Sequence, residues 1–577
     1  MSSETVSHLL SQFILPAQDV KALSFCKSPR AAKVKQWAQT LPATRMNRTG
    51  ALLYQALPEV VRLNTSAENR LEMLEGLRPY VQQCIQGLSK DFLNQPLLLP
   101  EGALKMATVA QALQKHMTSG YLLVIRDLCA KPKINKSPLL QKLVLALHRA
   151  VTGLGLSLLR SYQLYTPVPA QCWLNLHTLY KLAGKLDLLE QVVPDVMATD
   201  VQASTIQRTY LRALMLACAR PNQLRQNEVN ALYEALGNWV TLVSFNAGRE
   251  QHRENLFVVN LSADIAPMYK SRFQGSMDDD TRELDVRQLL AALKKQKDHK
   301  EGGEQIIPIP AEISPALLDH ILDTWGTVRQ RSFERRLANG ELEVTVGIAS
   351  LHFHITDGLP FTRFLGDAAA PGQAPSAFRA RGDSGERWSA DSFETATGDD
   401  TAEDIGAAAA VHILDASPGG YCLDWREQVS VQVRAGEVLG LREPGRKKWS
   451  IAVVRWLRQN RGATQLGVQI LAPSATPYGA CMVRSAGGGY TEYMRVLMLP
   501  ELRAANRPAS LLTAAVPFQE YCKVKLNQRG EEQIVQLTRK ILTTASVSQF
   551  SFRHLDTGKK NQQQHQSKEF ASVWNSV

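Results

Sequence analysis

The spacing of apolar residues changes period part-way along this 577-residue chain, and that change restricts it to a helical part followed by a β part. Between about 50 and 240, apolar residues recur every three or four positions. Leu71, Leu74, Leu77, Val81 and Ile85 form one such stripe. Thr65-Ser66-Ala67-Glu68 before it has the form of a capping box, a hydroxyl capping the first turn and Glu68 reaching back. Further stripes run near Ala103–Leu128, Pro138–Leu159, Ala170–Leu182, Thr205–Ala219 and Asn227–Leu242, divided by prolines and short polar runs. The pattern predicts packed antiparallel helices. Leu256–Leu261 is the first expected strand, and Arg282–Lys297 an amphipathic helix with a basic end. Ser314-Pro315 then opens a helix through Leu317, Leu318, Ile321, Leu322 and Trp325, which delivers Arg331 and Arg335 to the next domain.

From residue 341 the alternation is that of strands. Glu341–Thr356 is expected to be the first barrel strand, with His352 and His354 on one face. Two histidines without a third ligand read more simply as a strand face than as a metal site. Residues 366–406 are rich in Ala, Gly, Pro, Ser and Asp, with nine acidic and three basic residues, and are expected to be disordered with their ends near the binding face. Arg381-Gly382-Asp383 within them is a chance match to an adhesion tripeptide. Val411–Leu414 enters the turn Asp415-Ala416-Ser417-Pro418-Gly419-Gly420. Val429–Val433, Val438–Leu441, Ile451–Leu457 and Leu466–Leu471 follow as short alternating strands. Tyr490–Met498, Leu511–Val516, Tyr521–Leu526, Gln533–Leu537 and Val547–Phe552 predict a second small β domain. Gly487-Gly488-Gly489 lacks the Gly-Lys-Ser/Thr of a P-loop.

The net charge of +12 and pI of about 9.2 favour an anionic partner. Arg446, Lys447, Lys448, Arg455, Arg458 and Arg461 concentrate positive charge near one hairpin, read as a solvated face or a contribution to anion binding. Trp449 and Trp456 are the only aromatic residues interleaved there, so nucleic acid is not the expected partner. The eight cysteines are scattered singly, which suggests neither zinc nor disulfides. The N-terminus has no signal-peptide pattern, and the most apolar helix candidate, Leu143–Leu159, is broken by His148 and Arg149. A cytoplasmic protein without a transmembrane segment is expected. No nucleophile is paired with a base, so an enzyme is not expected.

Arg331-x-x-x-Arg335, then a strand, then Asp415-x-Ser417-x-x-Gly420 and barrel strands resemble the PilZ family of cyclic di-GMP receptors over about residues 325–473. The resemblance implies that Arg331 and Arg335 take phosphate and guanine, with Arg336 as a substitute or assistant. Asp415 and Ser417 would hydrogen-bond guanine, and Gly420 would let the strand approach the ligand. Arginine suits such a ligand because its planar fork pairs with phosphate oxygens or with guanine O6 and N7. Arg335 and Asp415 are 80 positions apart, more than the family spacing, and the acidic insert accounts for the excess. Arg503-x-x-x-Arg507 repeats the arginine spacing without the second motif. Trp173, Leu176 and Tyr180 resemble the opening of a tetratricopeptide repeat, although His177 takes the usual glycine position and no 34-residue period recurs. A degenerate repeat and a plain helical bundle both remain open.

The expected class is therefore multidomain α+β: an all-helical domain, a PilZ-like six-stranded antiparallel β-barrel and a second small β domain. Its divisions are a lead-in (1–48), a helical domain (49–245), a mixed connector (246–326), the barrel with its insert (327–475), the second β domain (480–556) and a polar tail (557–577). The expected function is a cyclic di-GMP effector, without a cofactor or metal, that contacts a protein partner through its helices. The alternative is a structural adaptor whose barrel no longer binds nucleotide.

Overall fold

Ser66 caps the first long helix of the described chain, its hydroxyl accepting from the Asn69 N–H at 3.3 Å. The cap lies one residue beyond the expected Thr65, and Glu68 pairs with Lys131 instead of reaching back. The computed structural model describes residues 3–95, 98–131, 137–198, 201–247, 256–298, 306–328, 334–366, 408–426, 433–460, 463–483, 489–503 and 506–555. The chain divides into two units. One is Met1–Arg331 with Leu457–Thr464; the other is Ser332–Trp456 with Gln465–Val577.

The first unit is built from helices α1 (Ser3–Ser11), α2 (Ala31–Ala38), α3 (Met46–Arg62), α4 (Ala67–Phe92), α5 (Glu101–Cys129), α6 (Ser137–Gln163), α7 (Cys172–Lys185), α8 (Ile206–Cys218) and α9 (Gln226–Trp239). A ribbon of β1 (Val192–Pro194) and β2 (Ala203–Thr205) interrupts them, so the first strand comes earlier than the sequence suggests. Then β3 (Ser244–Ala247), β4 (Phe257–Asn260), β5 (Met268–Tyr269) and β6 (Thr281–Asp285) form a sheet ordered β3-β6-β4-β5, followed by α10 (Arg287–Asp298) and α11 (Pro315–Gly326). The segment read as a connector contributes Phe257, Leu284, Leu289 and Trp325 to the same core as the helices. Ser314 caps α11 and Pro315 takes its first position, as expected.

Helix α6 is longer than its sequence stripe. Its Pro138–Gln163 stretch is long and apolar enough to cross a membrane, yet 67% of its apolar window is buried inside the protein. His148 and Arg149, which break the apolar run, face the ribbon: His148 Nε2 lies 2.9 Å from Ser204 Oγ, and Arg149 pairs with Asp195 at 3.1 Å. Arg78 from α4 meets the same Asp195 at 2.6 Å. Trp173, Leu176, His177 and Tyr180 of α7 are all buried.

The second unit contains β7 (Arg336–Leu337), β8 (Glu341–Val346), α12 (Ile348–Ile355), α13 (Phe361–Leu365), β9 (Ala409–Ser417), β10 (Gly420–Trp425), β11 (Val438–Arg442) and, apart from Leu457–Thr464, β12 (Ser450–Asn460) and β13 (Ala463–Ala472). Its strands run β10-β13-β12-β11-β8-β9-β7, and the β9–β10 pairing closes a six-stranded barrel. Six further strands, β14 (Thr476–Met482), β15 (Met494–Leu499), β16 (Ser510–Ala514), β17 (Lys523–Gln528), β18 (Glu531–Thr543) and β19 (Val547–His554), close a second barrel ordered β14-β15-β16-β19-β18-β17. Of the Val429–Val433 strand expected from sequence, 429–432 lie outside the described residues.

The expected strand Glu341–Thr356 stops at Val346. Gly347 turns the chain at φ +87°, where a side chain is disfavoured, and Ile348, Leu351 and Ile355 beyond it have helical spacing. These three join Val438, Ile451 and Val453 of the first barrel and Leu497, Leu499 and Leu512 of the second in one apolar core. His352 and His354 therefore ride on a helix. His352 packs edge-on against Phe361 and Phe364, with ring centroids 5.3 and 4.8 Å away. The acidic insert lies outside the described residues, but its ends are fixed. Leu365 is held by the second barrel, its carbonyl accepting from Asn527 Nδ2 at 3.3 Å, and Ala409 pairs with Val344. Asp415 lies six positions along β9 from Ala409, about 20 Å at the usual rise. The expectation that the insert's ends lie near the binding face is thus corrected.

Burial pushes the imidazoles of His148 and His177 down to about 4. His177 fits a neutral ring: Nε2 donates to the Ile265 carbonyl at 3.1 Å and Nδ1 accepts from the Tyr210 hydroxyl at 2.7 Å. An unfolded histidine takes its proton near 6.5. The unfolded chain therefore binds more protons between pH 6.5 and about 4, and stability falls as the pH drops through that window. At pH 5 the loss is up to about 2 kcal/mol per histidine. We expect Tm to fall from pH 7 to pH 5, and to fall less steeply in His177→Gln, whose side chain does not titrate. Equal slopes in thermal melts of the two proteins would contradict this.

Candidate ligand site on the outer face of the first barrel

Strands β9 and β10 form a hairpin in which Ser417 faces Gly420, Ala416 faces Tyr421 and Asp415 faces Cys422. The Ser417 hydroxyl donates to the Gly420 carbonyl at 3.2 Å and ties the turn across its base. Gly420 cannot carry a side chain. A Cβ there would sit 1.9 Å from the Val468 carbonyl oxygen on β13. The motif glycine is thus needed for strand β10 to lie against its neighbour.

The lead-in to the barrel joins the other edge of β9. Arg336 pairs with Ala416 and Leu337 with Asp415, and Arg335 just ahead of them reaches back over β9. Its Nη1 lies 2.9 Å from Asp415 Oδ1 and 3.2 Å from Oδ2. The two side chains are 30% and 25% exposed, so water still reaches both. A pair this accessible contributes on the order of 0.2–1 kcal/mol, and an anionic or hydrogen-bonding ligand can replace it. Burial, with the Asp415 carboxylate beside it, pushes the Cys422 thiol up to about 11, so it stays protonated at neutral pH. Leu337, at 95%, is almost fully exposed next to this pair.

The six predicted site residues divide accordingly. Arg335, Asp415, Ser417 and Gly420 come together on one patch. Arg336 is exposed, but it faces Ala416, and strand alternation sends it to the opposite side from Asp415. Arg331 lies outside the described residues. Among the described basic residues near 450, none but Arg455 is bonded to a strand bordering the patch. Arg446 pairs with Glu443 at 3.2 Å, Arg458 belongs to the segment grouped with the helical unit, and Arg461 is outside the described residues. Arg455 is the exception: its Nε donates to Gln469 Oε1 at 2.7 Å, on the strand beside Gly420. Gln469 carries no motif, and only the strand pairing draws notice to it. Arg503 faces Glu501 at 3.5 Å on an exposed loop. Among the described residues no cluster of three or more potential metal ligands occurs.

Three family models match in order along the chain. They describe the cyclic-di-GMP receptor FimW N-terminal domain over residues 31–250, its middle PilZ domain over 256–410 and 391–477, and the FimW C-terminal beta-barrel domain over 478–555. A relative from Pseudomonas aeruginosa (strain PAO1), the cyclic-di-GMP receptor FimW, is 32% identical over 574 residues, covering 93% of each chain. The chain belongs to the FimW family. No solved structure matches it. The middle FimW model begins at residue 256, whereas β4, β5 and β6 share their core with the helices here. The C-terminal FimW model covers the second barrel, including most of β14, which the sequence pattern missed.

Gly420 supplies a direct test of this geometry. Gly420→Ala places a methyl group inside the contact distance of a backbone carbonyl, an overlap that typically costs about 1–3 kcal/mol. We expect a Tm lowered by several degrees, whereas Ser417→Ala, which removes one partly exposed hydrogen bond, lowers it by much less. A Gly420→Ala protein as stable as wild type would contradict the close approach.

Proposed function

We propose that this protein is a cyclic di-GMP receptor and not an enzyme, and that the patch around Arg335 and Asp415 holds the ligand. The observation carrying this reading is the 2.9 Å contact between the two motifs, brought together across 80 positions of sequence. The ligand has two phosphates and two guanines. The Asp415 carboxylate accepts from the N1–H and 2-amino group of guanine, and the Arg335 guanidinium donates to a phosphate or to guanine O6 and N7. The ligand takes over partners that the side chains now give each other. Ser417 adds a hydroxyl, and Gly420 keeps β10 close against β13 beside it. By the family motif Arg331 pairs with phosphate or guanine alongside Arg335, while Arg336 acts through its charge alone. The P. aeruginosa relative's description as a cyclic-di-GMP receptor supports the ligand.

We propose further that the protein works in the cytoplasm and that the helical unit carries the signal to a protein partner. All eight cysteines are free, which suits a reducing compartment. The ribbon exposes Val192 at 66% at its base and Val196 at 91% beyond the end of β1, apolar surface suited to a protein contact.

Calorimetric titration of the full chain with cyclic di-GMP tests the ligand reading. Hydrogen bonds to charged groups contribute about 1.5–3 kcal/mol each. Arg331→Ala and Arg335→Ala should each weaken binding by about one to two orders of magnitude. Ligand-free melting temperatures should change little, because the Arg335–Asp415 pair is solvent-accessible. Unchanged affinity in both variants would remove these arginines from the site.

A further inference from the structure

Across the Gly420 turn from Ser417, the structure places a polar pair outside both motifs. The Gly419 carbonyl accepts from the Ile470 N–H at 3.0 Å, which sets Gly420 beside Gln469. A Cβ on Gly420 would lie 3.1 Å from Gln469 Cα. Ser417 is the partner of Gly420 on its other side, and Arg455 bonds Gln469 from β12. The outer face of β9, β10, β13 and β12 thus carries a row Ser417, Gly420, Gln469, Arg455. Its one missing side chain is at Gly420, where β13 comes up against β10 so that only backbone separates the hydroxyl from the amide. Gln469 and Arg455 are both partly exposed, so a ligand lying across the row can reach them.

The orientation of the Gln469 amide follows from its partner. A guanidinium has only donors, so the atom 2.7 Å from Arg455 Nε must be the carboxamide oxygen. The amide NH2 is then the end left for other contacts, and among the described residues it bonds none. This distinction bears on purine recognition. A glutamine able to use both ends pairs with adenine, donating to N7 and accepting from the 6-amino group. A glutamine whose oxygen is committed offers donors alone. Guanine presents two acceptors on that edge, O6 and N7, whereas adenine presents one acceptor and an opposing donor.

We infer that Gln469, held by Arg455, is a base-selecting residue that makes this site read guanine rather than adenine. Asp415 accepts from the Watson–Crick edge of a guanine lying over Gly420, and Gln469 donates to its O6/N7 edge. Arg455 is a positioning residue, fixing which end of the amide faces the base. The inference rests on the cyclic di-GMP reading of the site.

The test measures full-chain affinities for cyclic di-GMP and cyclic di-AMP side by side, with the selectivity ratio as readout. Gln469→Ala should weaken cyclic di-GMP by about 5- to 30-fold and leave cyclic di-AMP nearly unchanged. Gln469→Glu should be worse than alanine for cyclic di-GMP, because it sets a carboxylate against two acceptors. Arg455→Met frees the amide to turn over, so cyclic di-GMP should weaken a few-fold while cyclic di-AMP gains. Arg455→Lys, still a pure donor, should restore the ratio. Loss of Arg455 as a mere surface charge would weaken both ligands alike and leave the ratio intact, which overturns its positioning role. A wild-type ratio in Gln469→Ala, with Asp415→Ala still losing cyclic di-GMP, overturns the inference and spares the site. Wild-type protein that binds neither ligand overturns both.

Discussion

Strand β9 is hydrogen-bonded along both edges, and the site depends on that. On one edge it takes β8 and then β7; on the other it takes β10. The first pairing fixes the lead-in so that Arg335 arrives over β9. The second turns the Asp415–Gly420 motif back onto the barrel, where Gly420 permits contact with the Val468 carbonyl. Neither motif forms the patch alone. The arginine has no fixed position until the barrel closes, and closure at this hairpin requires a residue without a side chain.

Charged residues serve two different purposes in the two units. Arg78 and Arg149 share Asp195 in a nearly water-free setting, all three side chains being 10% exposed or less. Removing one partner there leaves a buried charge uncompensated, a loss of several kcal/mol, so this cluster pins the ribbon to the helices. Arg335 and Asp415 meet at a similar distance with water at hand. Their pairing is weak, and that weakness suits the ligand exchange proposed for this site.

The sequence made the order of parts legible because period is a local property. Helical stripes such as Leu71 to Ile85 and strand alternation at Leu466–Leu471 survive in the structure as helix and strand. The 348–355 segment misled because His352 and His354 also alternate as in a strand. The decisive residue is Gly347, whose positive φ ends β8 and lets Ile348, Leu351 and Ile355 act as a helical stripe. The motif residues were legible for the same local reason. What could not be read was proximity: that Arg336 faces away from Asp415, or that Gln469 lies beside Gly420, is decided by strand pairing over long separations. The ends of the acidic insert were misplaced for a related cause, since α13 docks on the second barrel before the insert begins.

Hydrogen–deuterium exchange on the full chain, with and without cyclic di-GMP, tests most directly whether the ligand sits on this face. The account predicts added protection in peptides covering 334–338, 413–422 and 468–470, with little change across the second barrel. Protection confined to the second barrel or to the helical unit, with these three segments unaltered, would contradict it.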